Sequence, residues 1–218
     1  MGQVNSWDIY VNDNLVSEVK LFKSLTISNY KEKLKESVLS QINKGYLMAS
    51  IDSVVKMDSI KELYIYYNEG ELYEWANLNV NQKDNNLLSE LGYGEKLYNN
   101  KPFSPRQLAN LFESTLIHLE NRGYPFSSLK LDSVEFLENS ITAELRLEKG
   151  PEIIIDTIYI KTNEKIEIRT VYNFIKLKPG DQYNEQTLSE IAVRIKEIPY
   201  WNEVKPVELE FVNNKCNV

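Results

Sequence analysis

The chain has 218 residues, 42% of them hydrophobic, and sets Lys+Arg 25 against Asp+Glu 32 for a net charge of -7. This composition excludes wholesale disorder, leaves room for one large domain or two to three small ones, and creates no global field toward nucleic acid or anionic lipid. A single cysteine, Cys216, excludes an intrachain disulfide and a multi-cysteine metal site, and no apolar run approaches the ~18 residues of a spanning helix. The start, Met1-Gly2-Gln3-Val4, has neither the basic nor the apolar region of an export signal, so the protein is either cytosolic or has had a signal removed.

Trp7, Ile9 and Val11 alternate with polar residues and run into Asn12-Asp13-Asn14, which predicts a short strand and a turn. A short helix is expected over Val16 to Leu25. Ser28 or Asn29 then caps a helix whose Leu34, Val38 and Ile42 share a face and which stops at Lys44-Gly45-Tyr46. Ile51-Asp52-Ser53-Val54 and the alternation Leu63, Ile65, Tyr67 predict two further strands, closed by Glu69-Gly70.

From Leu72 a strand carrying Trp75, Leu78 and Val80 opens the same order again, followed by a one- to two-turn helix over Leu87 to Leu91 and by Gly92-Tyr93-Gly94. The clearest helix starts at Ser104. This residue is an N-cap with Pro105 at the first helical position and Gln107 placed for a capping box, while Phe103 and Leu108 form a hydrophobic staple. Leu108, Leu111, Phe112, Thr115, Leu116 and Leu119 are expected on its buried face, and Gly123 with Pro125 ends it. Leu129 and Leu131, the turn Glu138-Asn139-Ser140, and the alternation Ile141, Ala143, Leu145, Leu147 predict a hairpin that Lys149-Gly150-Pro151 breaks.

A third copy opens at Ile153 to Ile160, passes a helical stretch around Ile168 to Phe174, and turns at Pro179-Gly180-Asp181. Tyr183, Asn184 and Leu188 repeat the staple and cap, with Leu188, Ile191, Ala192, Ile195 and Ile198 as the buried face and Pro199 as the stop. Val204, Val207, Leu209 and Phe211 supply a strand. Nothing after Val218 is left for the last strand of this copy, so its sheet is expected to be split, with Cys216 in a polar tail as an unreactive free thiol.

The unit recurs every ~75–80 residues in the order strand, helix, helix, strand, strand. Its strongest signatures are Leu119-Glu120-Asn121-Arg122-Gly123-Tyr124-Pro125-Phe126, Glu148-Lys149-Gly150-Pro151 with Ile155-Asp156-Thr157-Ile158, and Leu177-Lys178-Pro179-Gly180-Asp181-Gln182-Tyr183. This pattern resembles the polypeptide-transport-associated (POTRA) domain, in tandem as in the periplasmic arm of outer-membrane assembly factors of the BamA and TamA kind. The resemblance implies an α+β fold of tandem small domains at 1–71, 72–150 and 151–218. Each would set two helices on a three-stranded mixed sheet in the order β-α-α-β-β, with the second strand at an edge and the last copy truncated, its third strand missing.

Residues for chemistry do not assemble. His118, the single histidine, falls off the apolar face, the carboxylates alternate on solvent faces, and neither Gly92-Tyr93-Gly94 nor Lys178-Pro179-Gly180-Asp181 has the context of a phosphate loop. No catalytic residue, cofactor or metal is therefore expected. The resemblance implies a periplasmic arm, attached to the outer membrane, that receives unfolded outer-membrane protein clients or accessory assembly proteins by strand addition. Its expected edge strand is Leu129, Lys130, Leu131, Asp132, Ser133 and Val134. Contact with the membrane is expected only through a C-terminal barrel absent from this chain, and none with nucleic acid. Two other functions fit the same pattern: the arm of a two-partner secretion transporter, and a structural spacer or scaffold that binds no client.

Overall fold

A computed structural model of the protein describes residues 7–12, 14–15, 25–162, 166–198 and 205–218. The helix expected from Val16 lies outside these residues except for Leu25, as do the helix stop at Pro199 and the strand residue Val204.

The chain begins with β1 (Asp8–Val11), β2 (Asn14–Leu15), α1 (Tyr30–Ile42), β3 (Ser50–Met57) and β4 (Glu62–Asn68). It continues through β5 (Glu74–Val80), α2 (Asn85–Glu90), α3 (Glu95–Tyr98), β6 (Lys101–Pro102), α4 (Pro105–Glu120), β7 (Ser128–Leu137) and β8 (Ser140–Glu148). The remaining elements are β9 (Ile154–Thr157), α5 (Ile168–Ile175), α6 (Glu185–Ser189), α7 (Ile191–Lys196), β10 (Glu210–Val212) and β11 (Lys215–Asn217).

These strands form three mixed sheets, ordered β2-β1-β4-β3, β6-β5-β8-β7 and β10-β11-β9. In the first, β4 runs parallel to β1 and antiparallel to β3; in the third, β11 runs parallel to β9 and antiparallel to β10. The strand after the last helix of each copy therefore lies at an edge, and the next strand lies inside. The result is a tandem series of small α+β units with helices packed on mixed sheets. Two sheets exceed three strands because β2 and β6, two residues each, pair with β1 and β5. The second copy also has the single turn α3 besides α2 and α4, and the last helix of the third copy is broken at Glu190 into α6 and α7.

The last copy is short, but its third strand is not missing and its sheet is not split. Lys215, Cys216 and Asn217 form β11 between β10 and β9, with the register Cys216↔Ile155 and Cys216↔Phe211. The turn that returns the chain is Asn213-Asn214, both at positive φ (50° and 60°), the conformation that a tight two-residue hairpin requires and that asparagine tolerates. Cys216 is fully buried rather than part of a polar tail.

The chain divides into two compact units, one of Met1–Val80, Tyr93–Ala109 and Asp132–Glu144, the other of Asn81–Gly92, Asn110–Leu131 and Leu145–Val218. In the first unit, Ile9, Val11, Leu25, Leu34, Leu63 and Ile65 form one core. Around β5, Trp75 packs at 6.5 Å on Tyr98 and 4.9 Å on Phe103, Tyr98 stacks on Tyr93, and the Tyr93 hydroxyl donates to the carbonyl of Leu78 at 2.7 Å.

In the second unit, Ile153, Ile155, Val171, Ile175, Leu177, Tyr183, Leu188, Ile191 and Cys216 form a core, with Ile158 partly buried against it. At ~1.5–3 kcal/mol per buried large apolar side chain, such a set offsets the ordering entropy of a small domain with little to spare. Also in this unit, the buried line of α4 is Leu111, Thr115 and Leu119. The expected core residues Leu108, Phe112 and Leu116 are only half-buried, so the stripe is rotated from its expected centre. The Thr115 hydroxyl, fully buried, donates to the Leu111 carbonyl at 2.7 Å, which is how a polar residue comes to occupy the middle of that line.

Candidate functional site

Gly123, at φ +87°, ends α4 with the Tyr124 N–H on the Leu119 carbonyl at 3.0 Å and frees the chain to return extended into β7, which lies at the edge of its sheet. The expected site residues Leu129, Lys130, Leu131, Asp132, Ser133 and Val134 all lie on this strand. They are not equivalent. Leu129 is buried, Leu131 and Asp132 are half-buried, and Lys130 forms an exposed ion pair with Glu148 at 3.3 Å.

Ser133 has φ +50°, with its N–H held by the Asp132 carboxylate at 2.9 Å. A left-handed residue inside a strand is a bulge signature, and it bends the edge locally. Beyond it Val134, Phe136 and Leu137 are exposed, the last two at 62% and 77%. The edge is thus two short segments on either side of Ser133, and the apolar exposure lies on the second.

The corresponding strand of the first copy was not among the expected site residues, although Ile51-Asp52-Ser53-Val54 matches Leu131-Asp132-Ser133-Val134 in sequence. β3 is also an edge, and its register shifts at the Asp-Ser pair, between Ile51 and Ser53. Beside β3 runs an open groove of about 520 Å³, walled by Tyr30, Leu34, Val38 and Leu39 of α1 and by Ile51 and Val54 of β3. Lys31 and Lys35 also line it, so an apolar trough carries two cations in a chain whose net charge is -7. An unpaired strand edge next to an apolar trough can take an extended chain, with main-chain hydrogen bonds for affinity and side-chain pockets for preference. Sequence could have flagged α1 by its exposed Leu39, but the groove depends on the spacing between α1 and β3, which no local pattern encodes.

The third edge strand, β10, is three residues long, and Phe211 on it packs against Phe126 at 4.9 Å and Tyr183 at 5.8 Å. His118 is half-buried, and burial followed by the Arg122 charge hold its imidazole below the usual range. Burial, followed by the Glu185 charge, pushes the Cys216 thiol up, which disfavours the reactive thiolate. Among the described residues no group of three or more His, Cys, Asp and Glu side chains is placed to hold a metal, and no helix is long and apolar enough to cross a membrane.

Edge strand second, inner strand third, and helices on one mixed sheet repeated along the chain make this the fold of tandem POTRA domains. No protein-family model and no curated protein matches the sequence. Among solved structures, POTRA3-5 of BamA from Haemophilus influenzae is similar with a TM-score of 0.56 and 16% identity, over 97% of this chain and 93% of that one. BamA from Haemophilus ducreyi lacking POTRA domains 1-3 follows at TM-score 0.48 and 16% identity, over 67% of this chain and 28% of that one. POTRA1-3 of Omp85 from Anabaena follows at 0.35 and 12%, over 97% and 91%. The fold assignment rests on the first of these.

Proposed function

We infer that the protein is a periplasmic polypeptide-binding and docking arm of an outer-membrane protein assembly or translocation factor. Its modules are 1–71, 72–150 and 151–218, and it takes unfolded outer-membrane clients or accessory proteins by strand addition on β3 and β7. The observation that carries this reading is the repeated edge: in the first two sheets the strand after the helix-ending glycine, β3 or β7, is outermost and bears exposed Val54, Val55, Val134 and Phe136. Such edges are normally protected, because unpaired N–H and C=O groups invite pairing. Here apolar side chains stand beside them, which suits weak, general recognition of extended chains.

The scaffold reading has one observation in its favour. The left-handed Ser133 sits in the middle of β7 and bends the edge that would accept a partner. A photo-cross-linker placed at Lys130 or Asp132 distinguishes the two. Strand addition gives capture of an unfolded outer-membrane protein above that of a control on an exposed helix face such as Glu113. Equal capture at both sites leaves the spacer.

A further inference from the structure

The segment that ends each long helix, Asn43-Lys44-Gly45-Tyr46 and Asn121-Arg122-Gly123-Tyr124, does more than stop it. In the first copy the Asn43 side-chain oxygen accepts the backbone N–H of Arg106, at the start of α4 in the following copy, at 3.2 Å. The Gly45 carbonyl accepts the Tyr73 N–H at 2.8 Å, and the Tyr73 carbonyl in turn accepts the Phe103 N–H at 2.8 Å. One copy further on the same bonds recur. Asn121 Oδ1 accepts the Gln186 N–H at 2.8 Å, the Gly123 carbonyl accepts Ile153 N–H at 2.7 Å, and the Ile153 carbonyl accepts Tyr183 N–H at 2.9 Å. Residues 43 and 45 recur 78 positions on as 121 and 123, and 73, 103 and 106 recur 80 positions on as 153, 183 and 186. Each set lies wholly within one of the two compact units.

The division of labour at the receiving helix also repeats. Its own cap residue takes the third N–H, Ser104 Oγ from Gln107 and Asn184 Oδ1 from Thr187, while the asparagine of the preceding copy takes the second. Two of the donors that a helix start leaves open are thus filled from different copies. Close approach is built in at the glycine: a Cβ on Gly45 would lie 2.8 Å from both Leu72 Cδ1 and the Tyr73 carbonyl oxygen. Two bonds across each junction, each continued by a third inside the following copy, and at Gly45 a contact that only glycine permits, are more than a flexible linker needs.

We propose that the Asn-Lys/Arg-Gly-Tyr segment is a clamp that fixes each copy on the next, so that the copies joined at each junction move as one body. The clamp is independent of what the edge strands bind.

Distance distributions between spin labels test it in the full chain carrying Cys216→Ala, which removes the chain's single cysteine. Labels at Lys35→Cys and Lys96→Cys report the first junction, and labels at Glu113→Cys and Arg169→Cys the second; all four positions are exposed. Narrow distributions are expected at both. Asn43→Ala with Gly45→Ala broadens the first at least twofold and leaves the second unchanged, and Asn121→Ala with Gly123→Ala does the reverse. Asn43→Asp, which keeps the acceptor, restores the narrow distribution when Gly45 is retained. Ser104→Ala removes the helix's own cap without touching the clamp and leaves the width unchanged. Broad distributions in the parent protein, or equal broadening by Ser104→Ala, overturn the proposal. Single Asn→Ala variants, which preserve the glycine, carry the test if the double variants do not fold.

Discussion

A thiol at Cys216 distinguishes a central strand from a polar tail. The side chain is fully buried among Ile153, Ile155, Val171 and Tyr183 on β11, between β9 and β10. The neighbouring Val218 N–H reaches the Thr157 carbonyl at 2.9 Å, and the Val218 carbonyl takes the Tyr159 N–H at 2.7 Å. Exposing the sulfur therefore means peeling β11 out of its sheet or unfolding the copy. At roughly 0.05–0.15 kcal/mol per residue, a copy of the length proposed for the third, 151–218, has about 3–10 kcal/mol of stability, and every 1.4 kcal/mol is a factor of ten. Modification by an aromatic disulfide reagent should run at least ~100-fold slower in native protein than in urea-unfolded protein. The upward shift of the thiol pKa adds to this protection. Reaction within about threefold of the unfolded rate would refute the central position of β11.

Along α4, Leu111→Ala removes a buried side chain and should cost ~2–5 kcal/mol, whereas Leu116→Ala, at a half-buried position, should cost clearly less. Urea melts in which Leu116→Ala is the more damaging would return the helix to its sequence-predicted phase. His118 supplies a pH test. Its imidazole is held below the ordinary 6.5, so the unfolded chain binds the proton at higher pH than the folded one. The folded protein keeps its full margin above about pH 6.5 and loses part of it as pH falls from there to the lowered folded value. His118→Gln should flatten that part of a stability-versus-pH curve between pH 8 and 5, and an unchanged slope would contradict the assignment.

What was legible in the sequence depended on local chemistry. Ser104-Pro105 marks the start of α4 because a cap is a local contact, and the Ser104 hydroxyl does accept the Gln107 N–H. Gly45 and Gly123 mark helix ends for the same reason, and both sit at positive φ. The phase of α4 was not legible: leucines at 108, 111, 116 and 119 cover too wide an arc, and only packing selects Thr115 as the middle of the buried line. β6 and α3 are too short to have a period. β11 was missed because Asn213-Asn214 is a weaker turn signal than an asparagine followed by glycine, and the three residues after it include two polar ones. For the candidate site, the position of β7 at an edge follows from the resemblance rather than from periodicity. The bulge at Ser133 and the groove beside β3 are products of backbone geometry and of α1 packing, invisible in the order of the residues.

Strand addition on β3 and β7 is tested most directly by amide-resolved hydrogen exchange of the full chain with an extended amphipathic peptide. The control is the same peptide N-methylated at alternate residues, which removes the donors on one edge. The account predicts slowed exchange within Ser50–Met57 and Ser128–Leu137 with the first peptide, little change at the inner strands β4 and β8, and loss of the effect with the methylated one. Equal protection by both peptides, or binding that leaves both edges unchanged, would contradict it.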